Sequence, residues 1–228
     1  MLAVCGSYDP AQLRALAESC PGGWRGQEAS PLPAPPELRL GVRAAKVKDE
    51  EQLQLALGYP GLPYGDPDHV PLSLISTVLG GAMSSRLFQR VREELGMAYS
   101  IYASAMACEG SGTLVIGAGV APENGRRVLE ETLRVIAELR DRGVTEQEFS
   151  EVKRQLRTSF LLGLESSSGR MQGMGRRLLL TGRVRETGET LARLEAVTIG
   201  QVQEVSRRLL SAEPCLAAVG RNAEEFAQ

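Results

Sequence analysis

Arg92 and Tyr99 stand seven residues apart in the segment Arg92-Glu-Glu-Leu-Gly-Met-Ala-Tyr99. A guanidinium offers several fixed N–H donors and a phenol offers one. Donors placed in advance can hold a peptide carbonyl as it gains negative charge during attack, and removing one such donor typically costs ~3–4 kcal/mol of transition-state stabilisation. The same two residues also have plain structural uses. Arginine in the last turn of a helix complements the macrodipole by roughly 0.3–1 kcal/mol, and tyrosine suits a half-buried strand. The chain has one histidine, His69. A catalytic zinc site takes three protein ligands, usually with histidine among them. The helix motif H-E-x-x-H and its inverted form H-x-x-E-H each require two histidines, so neither can be built here.

The remaining chemically suggestive groups have simpler readings. His69 follows Pro67 and Asp68 at a helix start and reads as a surface or cap residue. Ser84 and Ser85 lack a second histidine as base and read as helix caps. Gly80-Gly81 is not followed by the Lys-Ser/Thr of a phosphate loop. Glu93-Glu94 reads as a solvated helix face. Tyr64 and Tyr102 suit a peptide cleft or ordinary packing.

Around these residues the elements can be placed by pattern. Gln52–Gly58 alternates, with Leu53, Leu55 and Leu57 on one side, which marks a half-buried strand. Asp68–Leu79 carries Val70, Leu74, Ile75 and Val78 at helical spacing and stops at Gly80-Gly81. Arg86–Leu95 has Leu87, Phe88, Val91 and Leu95 as an apolar stripe and ends at Gly96. Ala98–Ala107 and Gly112–Val120 form two strands of a hairpin turning at Glu109-Gly110-Ser111. Pro122–Arg142 is helical, and Thr145-x-x-Glu148 is a capping box opening a long helix with Phe149, Val152, Leu156, Phe160 and Leu164 on one face. Further helices are expected over Ser168–Leu180 and Thr198–Leu210, with a closing strand at Cys215–Val219. Glu37–Lys46 is a candidate strand. This order does not alternate as βαβ, so it predicts an α+β fold, a two-layer sandwich with a largely antiparallel sheet and helices on one face.

The first residues stand apart. Leu2–Cys5 reads as a short strand. Asp9 and Pro10 open a helix over Ala11–Cys20, with Leu13, Leu16 and Ala17 on one face. So small a unit cannot bury itself, and residues 1–20 are expected to be the tail of a preceding N-terminal domain. The Pro/Gly-rich residues 21–36 read as a linker, and residues 37–228 as the main domain.

Composition narrows the class. A chain of 228 residues with a formal net charge of −2 can bury a sizeable core. It gives no electrostatic case for nucleic acid or an anionic membrane. No 18-residue apolar stretch is present and Met1–Gly6 is unlike a signal peptide, so the expected location is cytoplasmic. Cys5, Cys20, Cys108 and Cys215 form no C-x-x-C pair and are expected as free thiols.

The segments Leu79-Gly-Gly-Ala-Met-Ser-Ser-Arg-Leu-Phe-Gln89 and Val91-Arg-Glu-Glu-Leu-Gly-Met-Ala-Tyr-Ser100 resemble the C-terminal half of pitrilysin/insulinase-type zinc metallopeptidases, the group of insulin-degrading enzyme and mitochondrial processing peptidase. Ala56–Gly61, Gly143–Glu148, Leu164–Ser166 and Ala196–Val202 extend the resemblance co-linearly. The resemblance implies a division of labour. An N-terminal zinc-bearing domain or subunit supplies the inverted histidine motif, the metal and a glutamate base. The C-terminal half closes over the peptide substrate and contributes an arginine and a tyrosine, matched here by Arg92 and Tyr99. It implies a zinc metalloendopeptidase of which this chain is the substrate-binding half. The chain alone, binding no zinc, is expected to be inactive. It would be either part of a longer protein or a non-zinc subunit in a homo- or heterodimer. The alternative is a non-enzymatic structural or peptide-binding module derived from the same fold.

Overall fold

A computed structural model describes residues 1–19, 34 and 37–227. Five strands form one sheet: β1 (Arg43–Val47), β2 (Leu53–Pro60), β3 (Ala98–Ala107), β4 (Gly112–Val120) and β5 (Cys215–Gly220), in the spatial order β1-β5-β2-β4-β3. Only the β1–β5 pair is parallel; the other three are antiparallel. The α+β architecture expected from the element order is the one observed.

The strands alternate as a sheet covered on one face must. Leu53, Leu55, Leu57 and Tyr59 of β2 point to the covered side and are buried. Leu114, Ile116, Ala118 and Val120 of β4 and Leu216 and Ala218 of β5 join them. Against this face pack α2 (His69–Gly80), α3 (Gly125–Arg142) and α7 (Ile199–Leu210), with α4 (Glu146–Gly163) behind α2. Leu72, Leu74, Ile75 and Leu79 from α2 and Val202, Val205 and Leu209 from α7 complete the core. Truncating a fully buried leucine such as Leu53 to alanine costs about 2–5 kcal/mol.

Local sequence sets most boundaries. The capping box at Thr145 forms in full: the Thr145 hydroxyl accepts from the Glu148 N–H, and the Glu148 carboxylate accepts from the Thr145 N–H at 2.8 Å. A second box, Thr198 with Gln201, opens α7. α5 (Ser167–Thr181) forms despite its three glycines, with Ser166 as its cap. The β3–β4 turn closes by a Cys108 N–H to Ser111 carbonyl bond of 2.9 Å.

Several expectations change. The segment over Arg86–Leu95 is wound mainly as a π-helix, Phe88–Glu94, rather than an α-helix. Neither serine caps it; the Ser85 hydroxyl is buried without a hydrogen-bond partner among the described residues. Leu2–Cys5 is not a strand, having no strand to pair with among the described residues; Met1 and Ala3 lie instead against Gly175 of α5. The first helix, α1 (Pro10–Ser19), buries none of its residues, and its Leu16 is exposed. A short helix not anticipated by pattern, α6 (Thr187–Ala196), follows α5. Cys5, Cys108 and Cys215 carry free thiols. Cys20 and nearly all of the proposed linker lie outside the described residues.

Candidate functional site at the head of strand β3

The π-helix runs directly into β3. Gly96, at φ +61°, makes the reversal, a left-handed conformation that glycine adopts without a Cβ penalty. The Met97 N–H then donates back to the Val91 carbonyl at 3.0 Å. This bond spans six residues, wider than the usual helix-closing motif, in keeping with the wider winding it ends. Val91 and Met97 are buried beneath the turn, while Arg92 stays on the outside.

Tyr99 owes its exposure to a defect in strand pairing. Ala98 pairs with Val120 and Ser100 with Gly119, so Tyr99 is the extra residue of a β-bulge. Bulges leave one residue unpaired and re-aim its side chain. Ala98 and Ile101 both face the core, and the two residues between them, Tyr99 and Ser100, both face outward. Tyr99 is 61% exposed.

Neither donor is spent inside the described residues. The Arg92 guanidinium forms no hydrogen bond or ion pair there; its one aromatic contact is with the Phe88 ring, 5.0 Å from the centroid. The Tyr99 hydroxyl makes no hydrogen bond within them either. The structure therefore places both at the head of β3, flanking one chain reversal, without a direct bond between them.

Beyond Tyr99 the open face of the sheet continues through Ser100, Tyr102, Ser104 and Met106, all exposed. The Tyr102 ring lies across its register partner Gly117, where even an added Cβ would sit 2.5 Å from the ring. Gly119 is overlain by Ser100, Gln52 and Gln54. The pairing of Tyr102 with a glycine and the exposure of Ser100 were not anticipated. The sequence does hold a trace of the bulge: Ala98-Tyr-Ser-Ile101 spaces two core residues three apart, breaking the period of two.

The other suggestive groups go elsewhere. His69 is half-buried at the first position of α2, edge-on to Tyr64 and beside the Ser73 hydroxyl. Asp68 before it makes no cap bond and pairs with Arg208 at 2.7 Å. Glu94 pairs with Arg90 at 2.7 Å, as a solvated helix face does. Gly80-Gly81 ends α2, with the Gly81 N–H donating to the Thr77 carbonyl. Among the described residues, no three His, Cys, Asp or Glu side chains are grouped to hold a metal ion, so a zinc site does not fit them. No described helix is long and apolar enough to cross a membrane.

Residues 1–156 match the family model described as the peptidase M16 inactive domain. The chain is 35% identical over 177 residues to the uncharacterized zinc protease YmxG of Bacillus subtilis, covering 78% of this chain and 43% of that protein. It is 39% identical over 173 residues to an uncharacterized zinc protease of Mycobacterium tuberculosis, covering 76% of this chain and 40% of that one. The chain thus spans about half the length, or less, of these relatives. In fold it is similar to the crystal structure of a peptidase M16 inactive domain from Pseudomonas fluorescens, with a TM-score of 0.77 at 22% identity over 86% of this chain and 47% of that chain. The match over more than half of its residues and the identity to these zinc proteases establish that the chain belongs to the peptidase M16 family, as a copy of its inactive domain.

Proposed function

We propose that this chain is the substrate-holding half of a zinc metalloendopeptidase, acting with a zinc-bearing domain or subunit that it does not itself contain. The observation that carries the reading is the unspent pair of donors at the head of β3: Arg92 with no ion pair among the described residues, and Tyr99 turned outward by a bulge. The exposed row of Ser100, Tyr102, Ser104 and Met106 beside them gives an extended peptide a surface to lie along. In this role Arg92 and Tyr99 orient the peptide and donate hydrogen bonds to its carbonyl oxygen as charge builds there. The metal belongs to the other half, and this chain supplies no ligand to it.

The test is peptide cleavage by this chain combined with a zinc-bearing M16 half, set against either piece alone. Activity confined to the combination supports the reading, and Arg92→Ala and Tyr99→Phe should then lower turnover without dissociating the pair. A combination that associates and holds zinc, yet cleaves nothing, points to the non-enzymatic binding module instead.

A further inference from the structure

A second cluster lies on the opposite side of the sheet, among α2, α5 and α6. A cleft of about 200 Å³ is lined there by Arg177, Arg185 and Arg193 together with Tyr64, His69 and Thr190. Among the described residues the one carboxylate in its lining is Asp66, and one of that carboxylate's oxygens already accepts the Asp68 N–H at 2.8 Å. Three cations against one anion is an unusual balance for a half-buried site, because like charges sheltered from water repel strongly.

The arginines are short of partners. The Nε of Arg185 is buried and has no hydrogen-bond partner among the described residues. Its nearest carboxylate oxygen, Oε1 of Glu189, is 3.6 Å away and is already held by Arg183 at 2.7 Å. Arg177 donates to the Thr190 hydroxyl at 3.3 Å and leans over Phe160, with no carboxylate in reach among the described residues. Arg193 has no ion pair or hydrogen bond among them. Burial, followed by the neighbouring charges of Arg193 and Arg183, lowers the Arg185 pKa from its ordinary value. A buried donor left unmade is a cost that a ligand can remove.

We propose that this cleft is a binding site for a small phosphate-bearing dianion. The excess of two positive charges in the lining matches a dianion, and a phosphate presents the several acceptor oxygens that forked guanidinium groups recognise. Tyr64 adds a hydroxyl donor at the same opening. The site is separate from Arg92 and Tyr99 and stands independently of the peptidase reading.

The experiment is calorimetric titration of the full chain with inorganic phosphate, phenyl phosphate and acetate at matched ionic strength. It is run at mildly alkaline pH, where a phosphate monoester is fully dianionic because its second pKa is about 6. Expected is saturable one-to-one binding of phosphate, with acetate at least about tenfold weaker, and a loss of about 10- to 100-fold in Arg193→Gln and Arg185→Gln. Phenyl phosphate binding as well as phosphate identifies a monoester as the ligand class; phosphate binding alone identifies the free ion. Arg193→Gln removes no bond within the described residues, so its melting temperature should match the parent chain, which keeps the test valid if Arg185→Gln fails to fold. Absence of saturable binding, acetate binding as tightly as phosphate, or full affinity in a folded Arg193→Gln overturns the proposal.

Discussion

Arg86 and Arg185 are sheltered to the same degree, their side chains 21% and 23% exposed, yet they meet opposite surroundings. Arg86, just before the π-helix, donates through Nε and Nη2 to the two oxygens of Glu148 at 2.6 and 2.7 Å, and from Nη2 also to the Gly143 carbonyl at 2.9 Å. Arg185 has its Nε buried without a hydrogen bond among the described residues, and its carboxylate neighbour, Glu189, stands 3.6 Å away and is shared with Arg183. Both groups lose hydration, but only Arg86 recovers full hydrogen bonding from the described residues. Burial alone therefore does not mark an arginine as structural or functional; what matters is how fully the fold satisfies it. Arg92 forms a third case, exposed and without an ion pair among the described residues, and it sharpens the contrast.

The largest effect is expected where the fold has least at stake. In a reconstituted peptidase, Arg92→Ala should lower kcat by about 100- to 1,000-fold, as removal of a charge-stabilising donor does. Its melting temperature should move little, because an exposed side chain with no ion pair supports little structure. A thermal melt beside a turnover assay checks both halves, and equal kcat in the variant would break the assignment. Arg86 should show the reverse. Glu148→Ala removes both the bidentate partner of Arg86 and one arm of the α4 capping box, so a loss of about 3 kcal/mol in urea unfolding is expected. Little change would place Arg86 in the same class as Arg92.

A smaller effect follows from pH. Burial by itself would raise the Glu148 carboxyl, but the bonds from Arg86 and Thr145 outweigh it and hold the group below its ordinary value. The depressed folded value means that Glu148 contributes stability in full above the ordinary carboxylate pKa. That contribution fades as pH falls through the folded value. Chemical denaturation of the parent chain and Glu148→Gln should converge as the solution is acidified; parallel curves would contradict it. The smallest change is reserved for Arg193→Gln, where unfolding free energy should hold within about 0.5 kcal/mol. A clear loss would show that the arginine cluster supports the fold rather than a ligand.

Legibility in sequence followed the range of the interaction. The Thr145 and Glu148 box lies within four residues and could be read at once, as could the alternation of Leu53, Leu55 and Leu57. The pairing of Arg86 with Glu148 joins residues 62 apart and left no local trace. Leu2–Cys5 has strand-like composition, but a strand exists only with a neighbour, which pattern alone does not supply. The stripe Leu87, Phe88, Val91 and Leu95 suits a helix without saying how tightly it is wound. Arg92 and Tyr99 stood out by type and spacing; the bulge that turns Tyr99 outward was present only as a broken alternation. The cleft of arginines was invisible because α2, α5 and α6 meet only in three dimensions, and α6 itself was not anticipated.

The π-winding of Phe88–Glu94 has a consequence for how this region tolerates insertions and deletions. A helix wound wider than its neighbours carries surplus chain within a fixed distance. Removing one residue from it would let the segment relax to an α-helix while the chain on either side stays in phase. The same deletion in an ordinary α-helix would turn everything beyond it by about 100°. The stretch that carries Arg92 is therefore a place where the loss of a residue can be absorbed by rewinding.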